Sequence, residues 1–167
     1  MYIKPNQIIE VDDRFYYLTS VQSALRKGYI QIGNMININT TLINPSYSGV
    51  TMELIAGESL NIGDLVYYKS DGKAYKTKAD STSTMICLGI TTSSCNANDN
   101  VVLLIEGLIR NSSIFNFTVG GQANVDALIF VSDTSYGAVS QTRPTISGHI
   151  IQFVGYALTV DTMKFSP

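Results

Sequence analysis

Leu65-Val66-Tyr67-Tyr68-Lys69-Ser70-Asp71-Gly72-Lys73-Ala74-Tyr75-Lys76-Thr77 is the stretch that decides the fold. Two runs rich in aromatic and β-branched residues flank Asp71-Gly72. Asp-Gly between such runs is the strongest short-range hairpin signal, because glycine tolerates the positive φ that a type I′ turn needs. Further short strands follow on the C-terminal side. Met85–Ile90 reads as a buried strand, and Val101–Ile105 as another behind the Asn-rich turn at 96–100. Leu128–Ser132 and Ala138–Gln141 form a second hairpin around Asp133-Thr134-Ser135-Tyr136-Gly137. Ile150–Leu158 and Thr162–Phe165 close the chain. Short strands at intervals of about ten residues, with no helix-period stretch between them, predict an all-β antiparallel sandwich or barrel.

The pattern also echoes itself. Leu65-Val66-Tyr67-Tyr68…Gly72…Thr77 recurs as Leu128-Ile129-Phe130-Val131…Gly137…Thr142, and Cys87-Leu88-Gly89-Ile90-Thr91 as Phe153-Val154-Gly155-Tyr156-Ala157. Each hairpin-plus-strand unit is too small to bury its own face, so the two are expected to share one core.

Upstream the character changes. Asn44-Pro45-Ser46-Tyr47-Ser48-Gly49 is a cluster of turn formers. The expected division is therefore an N-terminal arm, residues 1–50, and a β-domain with two pseudo-repeats, residues 51–167. Within the arm, Ser20 to Gly28 reads as a short helix. Ser20 caps its start, Arg26 and Lys27 suit the negative end of the dipole, and Gly28 suits the left-handed stop. Phe15-Tyr16-Tyr17 precedes it and Tyr29 follows. Core packing is the plain reading of these aromatics; because so small a segment cannot bury that area alone, Phe15, Tyr16, Tyr17 and Tyr29 are also candidates for attachment to a partner.

Only 14% of the 167 residues are charged, against roughly 25% in ordinary domains. Ser, Thr and Asn, 44 residues together, take the polar positions. The deficit is concentrated after residue 80, where eight of 87 residues carry charge. Eleven basic and thirteen acidic residues leave no electrostatic footprint for nucleic acid. No apolar run reaches the length of a membrane-spanning helix, and the first residues lack the apolar core of a secretory signal. No nucleic-acid or membrane partner is expected.

Catalytic chemistry finds little support. His149, the one histidine, sits in a turn before an apolar strand, so a nucleophile–histidine arrangement or a zinc site has little to build on. Asp64 and Glu106 stand at strand ends where turn chemistry already explains them, and a glycosidase pair is not expected of them. Asp12-Asp13 lacks the ligand spacing of a calcium loop, and no helix pattern follows Gly120-Gly121 to make a phosphate loop. Cys87 and Cys95 match no metal knuckle and are expected to be reduced and structural. No catalytic residue, cofactor or metal is predicted.

From Ala56-Gly57-Glu58-Ser59-Leu60-Asn61-Ile62-Gly63-Asp64-Leu65-Val66-Tyr67 through Ser70-Asp71-Gly72-Lys73-Ala74-Tyr75-Lys76 and Leu88-Gly89-Ile90 to Gly148–Phe165, the order of turns and strand glycines resembles a known family. It is similar to the small β-domain of head-decoration, head-fibre and tail-fibre proteins of tailed bacteriophages, over roughly residues 50–167. The resemblance implies a non-enzymatic virion protein, assembled in the host cytoplasm. It also implies a homotrimer, attached by its N-terminal segment to the major capsid protein or another virion protein. A capsid auxiliary, decoration or head-fibre subunit is the leading expectation. The alternative is a receptor- or glycan-binding tail-fibre module, in which Tyr67, Tyr68, Tyr75 and Tyr136 would stack on sugars.

Overall fold

The computed structural model describes residues Leu42–Pro167. The helix expected from Ser20 to Gly28 and the aromatic residues Phe15, Tyr16, Tyr17 and Tyr29 lie outside the described residues. The described chain is nearly all β, a closed barrel with extra strands. Its strands are β1 (Ser46–Ala56), β2 (Leu65–Tyr68), β3 (Lys73–Lys76), β4 (Cys87–Thr91), β5 (Asn100–Arg110), β6 (Thr118–Val119), β7 (Gln122–Ala123), β8 (Leu128–Val131), β9 (Val139–Ser140), β10 (Phe153–Ala157) and β11 (Thr162–Phe165). One short 3₁₀ turn, Thr82–Thr84, is capped by the Ser81 hydroxyl.

Two elements differ from the sequence pattern. Strand β1 begins inside the turn-former cluster and runs eleven residues, because it has a tertiary partner: it pairs antiparallel with β5 from Ser46 to Ile55. Gly120-Gly121, both at positive φ, form the two-residue turn joining β6 to β7. The Asp71-Gly72 hairpin forms where expected but not as a type I′ turn. Gly72 alone takes positive φ, its N–H donates to the Lys69 carbonyl at 3.0 Å, and Lys69 N–H donates to Lys73, also at 3.0 Å. That is a three-residue loop with a glycine bulge.

The sheet runs β1-β3-β2-β4-β5 and closes on itself, since β5 returns to pair with β1. Closure needs a parallel contact, Ile55↔Lys73 and Ala56↔Ala74, between β1 and β3. Beyond the barrel, the far half of β5 (Gly107–Arg110) takes β11 as a second neighbour, and the sheet continues β11-β10-β8-β9.

The two hairpin-plus-strand units carry the same pairing. In the first, Leu65, Val66 and Tyr67 face Ile90, Gly89 and Cys87, with the register slipping between Val66 and Tyr67. In the second, Leu128, Ile129 and Phe130 face Tyr156, Gly155 and Phe153, with the slip at the same place. The bonds that dock the preceding turn repeat as well. Thr91 N–H donates to the Asp64 carbonyl at 3.0 Å, and Ala157 N–H to the Ala127 carbonyl at 2.9 Å.

Strand alternation then sorts the apolar side chains into two cores. Ala56, Leu60, Val66, Ala74, Val101 and Leu103 fill the barrel. Leu65, Cys87, Ile90 and Leu104, on the outer side of the same strands, pack against Ile129, Val131, Val154, Ala157, Met163 and Phe165. The second unit therefore lays its inner face on the outer face of the first. Each fully buried Leu, Ile, Phe or Met in this contact contributes about 1.5–3 kcal/mol by removing apolar surface from water.

At one crossing the backbones of β1 and β5 touch. Gly49 and Gly107 face each other with φ of 151° and 152°. A Cβ on Gly49 would fall on the Glu106 carbonyl oxygen, and one on Gly107 on that of Ser48. Gly49→Ala and Gly107→Ala are each expected to lower unfolding free energy by about 3 kcal/mol, from overpacking and backbone strain, in urea titrations. Gly120→Ala, with nothing within 4 Å of the added atom, is expected to lose less.

Candidate functional site

Asp64, Glu106 and His149 are each held by their own neighbours and do not converge. Asp64 accepts the Asn61 N–H at 2.8 Å and pairs with Lys76 at 3.2 Å, which makes it a turn residue. Glu106 pairs with Lys164 at 3.2 Å on an exposed sheet face. His149 Nδ1 lies 3.0 Å from Asp133 Oδ2, both partly buried. Sixteen residues separate the two, and the contact exists because the turn carrying Asp133 folds back over the segment before β10. Among the described residues no group of three or more His, Cys, Asp or Glu could hold a metal ion.

Both cysteines are free thiols, Cys87 buried in the shared core and Cys95 packed against the barrel core. Burial pushes the Cys87 thiol up to about 12. Its peptide unit is held by a residue that the pattern did not single out. Gln152 accepts the Cys87 N–H at 2.8 Å and donates to the Cys87 carbonyl at 3.1 Å. One amide side chain thus does for β4 what a neighbouring strand would do, and it reaches there from the start of the second unit's β10.

The four tyrosines proposed for sugar stacking do not form one platform. Tyr67 is buried and packs on Tyr75 at 6.0 Å between ring centroids. The Tyr75 hydroxyl donates to Asp71 at 2.7 Å, and its ring covers Gly57. Tyr68, next to Tyr67 in the strand, points to the opposite side of the sheet and is exposed. Tyr136 is also exposed, with Lys78 Nζ 5.0 Å from its ring centroid.

What does converge is an apolar sheet face. The first unit's outer positions Leu65, Cys87 and Ile90 are sealed beneath the second unit. Their counterparts Leu128, Phe153 and Tyr156 are 54%, 40% and 37% exposed. Phe130, the counterpart of Tyr67 and as buried as it, meets Phe153 edge-on at 6.4 Å. Lys164 borders the face beside Tyr156 and is neutralised by Glu106. The echo between the two units aligns these positions without marking them as a site. What it lacked was any sign of which copy of the face would be covered.

A second notable junction lies where the described chain begins. Arg110 at the end of β5 donates from Nε to Asp161 at 2.9 Å and from Nη1 to the Leu42 carbonyl at 3.0 Å. Asn44 exchanges bonds with Ser112, donating to its hydroxyl at 2.6 Å and accepting its N–H at 2.9 Å. Burial opposes charge on Asp161, but hydrogen bonds from Thr159, Arg110 and Thr162 outweigh it and hold the carboxyl below its usual range. Beside them Pro45, Tyr47, Ile62, Thr92, Ile109 and Asn111 line a shallow groove of about 220 Å³.

No protein-family model and no curated protein matches the chain.

Two outcomes are expected of these contacts. Gln152→Ala leaves the Cys87 amide and carbonyl without partners and should cost about 1–3 kcal/mol in chemical denaturation. For Cys87, the folded state keeps a proton that the unfolded chain releases near pH 9. Stability from this group is therefore complete below pH 9 and is lost as pH rises toward 12, by at most about 1.4 kcal/mol per unit. Thermal unfolding from pH 8 to 11 should show the decline, and Cys87→Ala should make it shallower.

Proposed function

We propose that this protein is a non-enzymatic structural component of a virion, a capsid auxiliary, decoration or head-fibre subunit that binds and stabilises the particle of a tailed bacteriophage. The observation that carries the assembly part is the exposed apolar surface of Leu128, Phe153 and Tyr156, set in a charge-poor domain. Exposed contiguous apolar surface marks interaction sites, and interface cores are depleted in charge and enriched in aromatic residues. The virion part rests on the resemblance of residues 50–167 to phage head and fibre β-domains. Its partners on this reading are copies of itself and the major capsid protein or another virion protein.

Attachment is assigned to the N-terminal segment ahead of β1, with Phe15, Tyr16, Tyr17 and Tyr29 as the contact set. Mass spectrometry of purified virions should find the chain, and image reconstruction should place its density on the particle surface. Virions without it would overturn the assignment. Replacing the four aromatics together by Ala should weaken binding to particles by at least about tenfold, as loss of aromatic hot spots does. The unfolding midpoint of the β-domain should stay where it was.

A further inference from the structure

We propose that Asp71-Gly72 is a modification site, where the backbone converts spontaneously to isoaspartate once the turn opens, and that Tyr75 is the positioning residue that holds it closed. The proposal is independent of any role in a virion. The chemistry belongs to the dipeptide itself. The Gly72 nitrogen attacks Asp71 Cγ and forms a C–N bond. One carboxyl oxygen leaves as water, taking the acid proton and the amide proton, and a five-membered succinimide remains. Water then reopens that ring at either carbonyl. Opening at the Asp71 main-chain carbonyl leaves the chain running through the side chain, as isoaspartate. Glycine has no Cβ to hinder the attack, and Asp71 is exposed to solvent.

In the folded turn both reacting groups are tied. Gly72 N–H donates to the Lys69 carbonyl at 3.0 Å. Asp71 Oδ2 accepts the Tyr75 hydroxyl at 2.7 Å, and Oδ1 accepts the Lys73 N–H at 3.1 Å. Both carboxylate oxygens must give up a hydrogen bond before Cγ can turn onto the nitrogen. The Tyr75 bond foremost, with that from Lys73, also holds the carboxyl below its usual range. A carboxylate surrenders oxygen far less readily than the neutral acid. Tyr75 is itself fixed, its ring packed on Tyr67 and over Gly57. The place matters for the fold. Isoaspartate adds one atom to the backbone between Lys69 and Lys73, whose N–H to carbonyl bond at 3.0 Å ends the hairpin. Lys73 and Ala74 are the residues that close the barrel against Ile55 and Ala56.

The test is prolonged incubation of the full-length chain, with isoaspartate at residue 71 measured by peptide mapping. The native chain at neutral pH should isomerise at least about tenfold more slowly than the same chain in denaturant, because the turn must first open. Tyr75→Phe keeps the ring and removes only the hydroxyl, and should speed the native reaction about three- to tenfold, the worth of one hydrogen bond. Tyr67→Phe removes the hydroxyl of the other ring in the pair and should leave the rate unchanged. The rate falls as pH rises through the carboxyl pKa, so in Tyr75→Phe that fall should move to higher pH. A native rate equal to the denatured one overturns the proposal. So does a Tyr75→Phe rate no faster than native, a rise matched by Tyr67→Phe, or a pH profile that stays in place.

Discussion

The structure depends on β5 having two partners on one edge. Along its other edge it pairs with β1 for nearly its whole length, which closes the barrel. On the first edge its N-terminal half takes β4 through Leu103 and Leu104, and its C-terminal half takes β11 from Gly107 to Arg110. Backbone amides must find partners wherever they are buried, so the strand can be shared only if one neighbour ends where the next begins. The handover falls at Ile105-Glu106, where the register against β1 also slips. Gly107 comes next and lets the two backbones press together. Remove that sharing and the molecule becomes a small barrel and an unsupported four-stranded sheet.

From this constraint follows the asymmetry of the two units. They are alike in strand order, register slip and turn bonds, but they are not related as equals. The second packs its inner face on the outer face of the first, so one outer face is sealed and the other is left open. The joint is strengthened where the sheet itself cannot reach. Gln152 supplies a pair of hydrogen bonds to the Cys87 peptide unit, and the Ala79 N–H donates to the Ser132 carbonyl at 2.9 Å across the same contact.

The strands around Asp71-Gly72 and those from Leu128 onward were legible because alternation and turn residues are local properties. The echo between the units was legible for the same reason. Strand β1 was not. Ser46, Ser48 and Gly49 read locally as turn, and they extend only because β5 lies alongside. The fate of a face was not legible either. Leu65 and Leu128 are the same residue in the same local pattern, yet one is fully buried and the other more than half exposed. Period-two alternation says which side chains share a face and is silent on what lies across from it. The His149–Asp133 pair and the Gln152 bonds share that difficulty, since neither partner lies near the other in sequence.

The substitutions between the two faces bear on what the open one does. Where the sealed face has Cys87 and Ile90, the open face has Phe153 and Tyr156, and Tyr67 is matched by Phe130. A surface meant for water would have drifted toward Ser, Thr and Asn, which this chain uses freely elsewhere. Phe153 and Tyr156 instead carry larger aromatic side chains than Cys87 and Ile90, residue types enriched in interface cores. The scarcity of charge after residue 80 fits the same logic. Charge within the patch would have to be desolvated or paired on assembly, and its one cation, Lys164, already has Glu106.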